Sequence, residues 1–395
     1  MAATIKRVLF SVLVLSPIFG FSQITGNDII EQNTITTAVP FLRINPDARV
    51  AGMGDVSIAV SPDANSVFSN ASKIAFIGMD RLDEPGPDYG ISVNYTPWLR
   101  ALVKDIYLAA VSGYYKFDDQ QAIASSFRYF SLGNIQYTDN TGQQLGEGRP
   151  HEFAWDVHYA RKLSPYFSIG IGLRFIYSNL AAGSAVSGTP IKPGIAGAAD
   201  ISMFWTKPIK LKGRHTDLNW GLAITNIGSK ITYTESARKD FIPTNFAFGM
   251  GWEVDIDNNN EINIYGDINK LLVPTPNDSG THKDKSPIAG MFTSWADAPG
   301  GFSEEMREFY FSVGAEYWYA KSFAVRIGYH WEHATKGNRK FLSAGLGLKY
   351  SVFGLDFSYL IPTQTQRNPL DNTLRFSLKF DFVKPSKTQT EEIPN

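Results

Sequence analysis

The chain has 395 residues, a formal net charge of −1 and no cysteine. A charge so near zero supplies no field for nucleic acid, and the missing thiols exclude disulfides, thiolate metal sites and a cysteine nucleophile. Aromatic residues are abundant (27 Phe, 18 Tyr and 8 Trp) while mean hydropathy is slightly negative; that combination fits a transmembrane barrel, where only every second strand residue faces lipid, and not a helical membrane protein. At the N-terminus, Lys6 and Arg7 precede an apolar run from Val8 to Phe19, and Gly20 and Ser22 supply small residues for cleavage before Gln23. The run falls short of the roughly 20 residues that span a hydrocarbon core, so residues 1–22 are predicted to be a signal peptide and not an anchor. Thr25 to Arg43 has no clear period and is expected to lead the chain onward from there.

Asn45 to Phe76 is the least strand-like part of the mature chain. It mixes small residues (Ala48, Gly52, Gly54, Ala59, Ala64, Ala71) with short polar ones (Asn45, Asp47, Asp55, Asp63, Asn65, Asn70). Small side chains let backbone pack closely in a confined space, and Asp and Asn satisfy backbone donors there. Residues 23–88 are expected to form an N-terminal periplasmic and plug segment inside a barrel. The competing reading is a surface loop with a short helix near Ala64 to Ala75.

The same stretch carries a family resemblance. Asn45-Pro46-Asp47-Ala48-Arg49, then Ala51-Gly52-Met53-Gly54-Asp55, then Ser61-Pro62-Asp63-Ala64-Asn65-Ser66 resembles the N-terminal signature of the PorV family, outer-membrane subunits of the type IX secretion system. That family is itself similar to the FadL family of 14-stranded barrels. The resemblance implies an all-β fold, a 14-stranded antiparallel transmembrane β-barrel with a lumenal plug whose signature positions are Asn45, Pro46, Asp47, Arg49, Gly52, Gly54, Asp55, Asp63, Asn65 and Asn70. It implies as partners the type IX translocon barrel, secreted cargo with type IX C-terminal domains, a sortase-like cell-surface attachment complex and outer-membrane lipid. It implies no cofactor. Where the related pattern closes with Asn-Pro-Ala, this chain has Asn70-Ala71-Ser72, which leaves the local turn open, because proline fixes φ.

Residues 89–383 read as a barrel of alternating segments. The first sets Tyr89, Ile91, Val93 and Tyr95 against Ser92 and Asn94; Asp105 to Phe117 and Gln120 to Gln136 come next. The eighth is the cleanest, with Phe246, Phe248, Met250, Trp252 and Val254 on one face and Asn245, Ala247, Gly249, Gly251 and Glu253 on the other. The last opposes Leu374, Phe376, Leu378, Phe380 and Phe382 to Arg375, Ser377, Lys379 and Asp381. The segments run to about 10–16 residues, where soluble strands average about 5 or 6. Aromatics gather near their ends, as at Trp205, Trp252, Tyr319, Trp331 and Phe382, in the manner of interfacial girdles. Phe248→Arg should therefore hinder assembly and Gly249→Ser should not. Short turns such as Asp118-Asp119 and Lys321-Ser322 belong to the periplasm and long connections to the exterior, which predicts both termini in the periplasm. The basic link Pro208 to Thr216 is expected to be a longer periplasmic turn. In the longest connection, Val273 to Glu305, Met291, Phe292, Trp295 and Phe302 form an apolar cluster; it is read either as a docking loop or as a self-packed lid. A polar tail, 384–395, comes after the last strand.

The remaining constellations carry little chemistry. His330 and His333 should point to opposite faces of a strand, and no HExxH motif is present. Asp255 to Glu261 begins like a calcium loop but lacks its sixth-position Gly and twelfth-position Glu, so a hairpin turn is expected. Gly170, Gly172, Gly345 and Gly347 read as a smooth lumen surface. The lumen face carries Asp156, Arg174, Asp200, Asp217, Glu253, Asp267, Glu316, Arg326, Lys349, Arg375 and Lys379, with Arg43, Asp47, Arg49 and Asp55 as candidate plug partners. No nucleophile–base pair stands out. The leading expectation is a non-enzymatic secretion component that binds cargo at the translocon and delivers it to the attachment machinery. The alternative is a FadL-type transporter of hydrophobic small molecules, which an apolar pocket inside the extracellular rim would favour.

Overall fold

Period-two alternation becomes strands on a closed wall. A computed structural model of the chain describes residues 32–78, 88–98, 105–138, 143–180, 185–186, 189–211, 214–234, 238–277, 279–363 and 373–383. The chain divides into Met1–Gln32 and Asn33–Asn395, and the barrel with its plug lies entirely in the second unit. The expected signal peptide and the polar tail lie outside the described residues.

The wall strands are β1 (Tyr89–Pro97), β2 (Ile106–Lys116), β3 (Gln121–Leu132), β4 (His151–Ser164), β5 (Phe167–Asn179), β6 (Gly194–Leu211), β7 (Arg214–Gly228), β8 (Asn245–Asp255), β9 (Asn260–Leu271), β10 (Phe309–Tyr319), β11 (Phe323–Trp331), β12 (Lys340–Tyr350), β13 (Phe353–Pro362) and β14 (Leu374–Phe382). Each pairs antiparallel with the next, and β14 returns to β1 to close the barrel. Burial is inverted relative to a soluble protein. Ile327 is 60% exposed on the outer face, whereas its neighbour Arg326 is 2% exposed in the lumen. An apolar exterior suits lipid, and closure leaves no strand edge to be satisfied in hydrocarbon.

Three sequence expectations are corrected. The link Pro208 to Thr216 is not a long turn: β6 continues to Leu211 and β7 begins at Arg214. Proline is tolerated because the last pair between β5 and β6 is Phe167 with Trp205. The Thr206 N–H donates toward Tyr166 on that side, so the missing N–H of Pro208, two residues on, faces an open edge. The third segment is also interrupted. β3 ends at Leu132, Gly133 turns the chain at φ 78, and Ile135–Thr138 pairs with Gln144–Gly148 as a separate hairpin.

The third correction concerns direction. The Asn33 N–H donates to the Thr335 carbonyl at 3.2 Å and the Ala38 N–H to the Phe241 carbonyl at 2.9 Å. Both acceptors lie in long connections, so the described chain enters at the long-loop end and not at the short-turn end where the sequence reading put the termini. The chain then descends the lumen. It reaches the short-turn end near Ile77, whose carbonyl accepts from Lys116 Nζ at 2.9 Å. Phe76 there lies beneath Lys162 Nζ at 4.9 Å. From that end β1 starts back up.

The core of the molecule is the seam between this plug and the wall. Ala64, Val67, Phe68, Ala71, Ile74, Ala75 and Ile77 pack on Ala110, Tyr114, Ala122, Ala124 and Ala160. Higher up, Val39, Phe41 and Leu42 meet Leu108, Phe130, Ala154 and Ile176. Alanines on the wall leave space for the larger plug side chains.

Candidate functional site

The plug has little regular structure, so polar side chains supply its frame. Asn45 Oδ1 accepts from the Asp47 N–H at 3.1 Å, and Pro46 fixes φ between them. Asp47 then caps the one-turn helix Ala48–Ala51, its Oδ1 accepting from the Arg49 N–H at 3.0 Å and from Asn65 Nδ2 at 3.0 Å. Asn65 also exchanges amide hydrogen bonds with Asn94 of β1 at 3.2 and 3.1 Å. Gly52 crosses Gly345 so closely that a Cβ on it would stand 2.9 Å from the Gly345 Cα. Gly54, at φ 76, donates its N–H to Ser343 Oγ at 2.7 Å, and a Cβ there would stand 2.7 Å from the Tyr329 nitrogen. Asp55 pairs with Arg375 at 2.6 Å.

Asn70, fully buried, holds the departure from the family pattern. Its amide donates to the carbonyls of Ile58 and Met203, both at 3.0 Å, and its Oδ1 accepts from Ser72 Oγ at 2.5 Å. Ala71 opens a 3₁₀ helix, Ala71–Phe76, a first position where proline is also tolerated. The change from proline therefore demands no new turn.

Arg49 and Asp63 complete a ring of alternating charge with the wall. Arg49 binds Glu316 of β10 at 2.7 Å, Glu316 binds Arg326 of β11 at 2.6 Å, and Arg326 binds Asp356 of β13 at 2.7 Å. Asp356 binds Lys379 of β14 at 2.7 Å, Lys379 binds Asp63 at 3.1 Å, and Asp63 stands 3.5 Å from Arg49. Every member has two neighbours of opposite sign, which offsets the desolvation penalty that makes isolated buried pairs weak. Burial opposes the charge on Asp63, but Lys379 and then Arg49 hold its carboxyl well below the usual range. Asp47 makes no ion pair among the described residues: burial, then Asp63, pushes its carboxyl up to about 6 against the pull of Lys379. Burial pulls Lys73 down to about 8; its ammonium donates to the Ser57 carbonyl at 2.7 Å. Asp267 of β9 accepts from the backbone of Ser57 and Ile58 at 2.5 and 3.0 Å.

The other lumen charges serve the wall. Asp156 lies between Arg128 and Arg174, and Arg174 continues to Asp200 at 2.8 Å. Asn226, at φ 59 in a bulge between β6 and β7, donates its N–H to Asp200 at 2.7 Å and accepts from Arg174. Asparagine tolerates that left-handed backbone. Asp217 is only half-buried and Lys349 is exposed, both near the short-turn rim. Gly170 and Gly345 approach the plug, whereas Gly172 and Gly347 make room for His158 and Arg326 of the wall. His330 is buried against Ser312 Oγ at 3.0 Å; His333 lies edge-on to the outward-facing Trp331.

At the long-loop end, the connection between β9 and β10 folds into the short helices Pro287–Thr293 and Phe302–Met306. Carboxylates anchor it from within. Lys270, fully buried, binds Glu305 at 2.7 Å and Glu308 at 2.6 Å; Lys336 binds Glu304 at 2.5 Å and Glu308 at 3.0 Å. Asn33 reaches the same Glu304 at 2.9 Å. Outside, Phe302 is 80% and Phe292 69% exposed. Met291 is half-buried, and Trp295 leans on Phe246 and Phe309, with ring centroids at 5.4 and 6.3 Å. The four aromatic and Met positions thus do not act alike: Trp295 fastens the loop to the rim, while Phe292 and Phe302 are displayed. The sequence reading missed Asn33, Asn226, Lys270, Glu304, Glu305, Glu308 and Lys336. Among them only the buried-strand parity of Lys270 left a trace.

Between plug and wall, beneath the loops, is a cavity of about 110 Å³. Its lining includes Arg43, Asn45, Asp55, Asn226, Asn245, Asn269, Tyr310, His330 and Arg339.

A closed barrel with an apolar outside, a charged lumen and its own N-terminal segment packed into that lumen is a plugged outer-membrane β-barrel. A family model described as Type IX secretion system protein PorV matches residues 27–278, and the chain belongs to that family. No curated protein matches it. Among solved structures it is similar to the toluene transporter TbuX of Ralstonia pickettii, at 10% identity over 86% of this chain and 98% of that one, with a TM-score of 0.47. It is also similar to the Pseudomonas putida toluene transporter TodX (10% identity, 84% and 95% covered, TM-score 0.47) and to a Pseudomonas aeruginosa FadL homologue (10%, 89% and 100%, TM-score 0.42). At such scores the likeness carries no argument about transport.

Proposed function

We propose that this protein is a non-enzymatic component of type IX secretion that binds cargo C-terminal domains at the translocon barrel and delivers them to the cell-surface attachment machinery. The observation that carries this reading is the contrast between a lumen closed by a bonded plug and an extracellular loop that displays Phe292 and Phe302. Exposed aromatic side chains held on an anchored loop favour a binding surface, because little ordering remains to be lost on docking. The work is adhesion and hand-over, which needs neither a cofactor nor a reaction centre. A FadL-type transporter of hydrophobic molecules is the weaker reading. The space inside the rim is small and mixed, with Arg43, Asn226, Tyr310, His330 and Arg339 beside Leu42, Ile44, Ile58 and Phe68, and not the continuous apolar pocket that such a passenger would favour.

The test is Phe292→Ser with Phe302→Ser, scored for barrel level, cargo secretion and co-purified translocon. Abundant, heat-modifiable barrel with failed secretion and lost partner recovery is the expected result. Normal secretion with full partner recovery would remove the loop from the docking surface.

A further inference from the structure

The outer face of β10–β12 at the long-loop end carries cations without counter-charges. Phe311 pairs with Trp331 across β10 and β11, and Trp331 pairs with Lys340 across β11 and β12. Phe311 and Trp331 have ring centroids 5.8 Å apart, and Lys340 Nζ lies 5.9 Å from the Trp331 ring. His333 stands edge-on to the same Trp331 at 6.0 Å. Arg307, exposed just ahead of β10, and Lys340 both act on His333.

The nearby carboxylates are committed elsewhere. Glu304, Glu305 and Glu308 hold Lys270 and Lys336, and Glu332 holds Arg339. Among the described residues neither Arg307 nor Lys340 makes an ion pair. The next outward layer is apolar, with Val313, Tyr329 and Leu342 side by side, and Ile327 is exposed beneath it. Two free cations over an aromatic and aliphatic band, on a surface turned to lipid, match a phosphate group that carries acyl chains beneath it.

We propose that this face binds the phosphate headgroup of an outer-leaflet lipid, with Arg307 and Lys340 on the phosphate and Phe311, Trp331 and Leu342 along the lipid body. A polypeptide is a poorer match, because the face continues directly into the membrane-facing wall. A free phosphate would gain nothing from the apolar band.

The full-length barrel in detergent is titrated with diphosphoryl lipid A, with the same lipid stripped of its phosphates and with inorganic phosphate, and bound lipid is read by native mass spectrometry. Saturable binding of the diphosphoryl form is expected, with weak binding of the stripped form. Arg307→Gln with Lys340→Gln should lower the apparent affinity about 30-fold, the weight of two interfacial cations, whereas Arg307→Lys with Lys340→Arg should retain it. Equal binding of the stripped lipid, unchanged affinity in the glutamine pair, or inorganic phosphate binding as tightly as the lipid would each overturn the proposal. The wild-type comparison of the two lipids decides the matter even if a variant fails to assemble.

Discussion

At Gly249 the wall meets the plug with no room for a methyl group. A Cβ there would stand 2.8 Å from the Ile58 Cβ and 3.1 Å from the Ala59 nitrogen, and would collide with Asp267. The parity behind the expected contrast is right, since Phe248 faces outward and Gly249 inward, but the crowding adds a stability cost to Gly249→Ser that parity alone does not show. The two substitutions should fail differently. Phe248→Arg places a charge on lipid, at about 2–4 kcal/mol near the midplane, and should lower the yield of assembled barrel. Gly249→Ser overpacks the seam, at about 1–3 kcal/mol, and should give assembled barrel with a lower midpoint of heat modification. Indistinguishable outcomes would contradict the register. Lys73 supplies a pH test. Its folded pKa of about 8 lies below the ordinary lysine value, so the unfolded chain holds more protons between about 8 and 10.4, and stability rises with pH across that window. Lys73→Met should raise the midpoint at pH 7, and its advantage over the wild type should shrink by pH 10. An advantage that stays constant with pH would refute the assignment.

The elements differ in how far the sequence reveals them. A strand writes its two faces within ten residues, so Phe246 to Val254 could be read unaided, as could the span of β14 from Leu374 to Phe382. The plug is held by contacts such as Arg49 with Glu316 and Arg375 with Asp55, hundreds of positions apart in sequence. Composition and strand parity set Arg49 and Asp55 among the plug charges and Glu316 and Arg375 among the lumen charges, but could not say which pairs with which or in which direction the segment runs. Pro208 misled for a related reason: a proline ends a strand only where its N–H is needed, and the loss of the β5 neighbour is a property of the sheet. The long connection hid its anchors likewise, because Glu304, Glu305 and Glu308 look like a solvated charge run until Lys270 and Lys336 are placed beneath them. The plug as an element makes one electrical prediction. Deleting residues 45–76 removes the lumen filling and both plug members of the charge ring, and should raise single-channel conductance in planar bilayers. Unchanged conductance from a barrel that still shows heat modification would mean that the lumen is closed by something else.

On the scale of the whole molecule, one path of chain joins the two faces of the membrane. Asn33 touches Thr335, Pro276 and Glu304 among the long loops. Forty-odd residues later Phe76 and Ile77 lie against Lys162 and Lys116 at the short-turn end. The strap that fastens the displayed loop is therefore continuous with the plug that fills the barrel, and Glu304 is shared by the strap and by Lys336. The loop is hydrogen-bonded to Asn33, and from Asn33 the backbone runs through Arg43, Asn45 and Asp47 to Arg49 of the charge ring. This arrangement predicts the sidedness of the segment directly. The chain has no cysteine, so single cysteines report without background. Thr34→Cys, exposed at the long-loop end, should react with a membrane-impermeant maleimide on intact cells. Asp119→Cys, exposed in the short turn between β2 and β3, should react only after the outer membrane is opened. Protection of Thr34→Cys in intact cells, with labelling after lysis, would place the strap in the periplasm and undo the link between loop and plug.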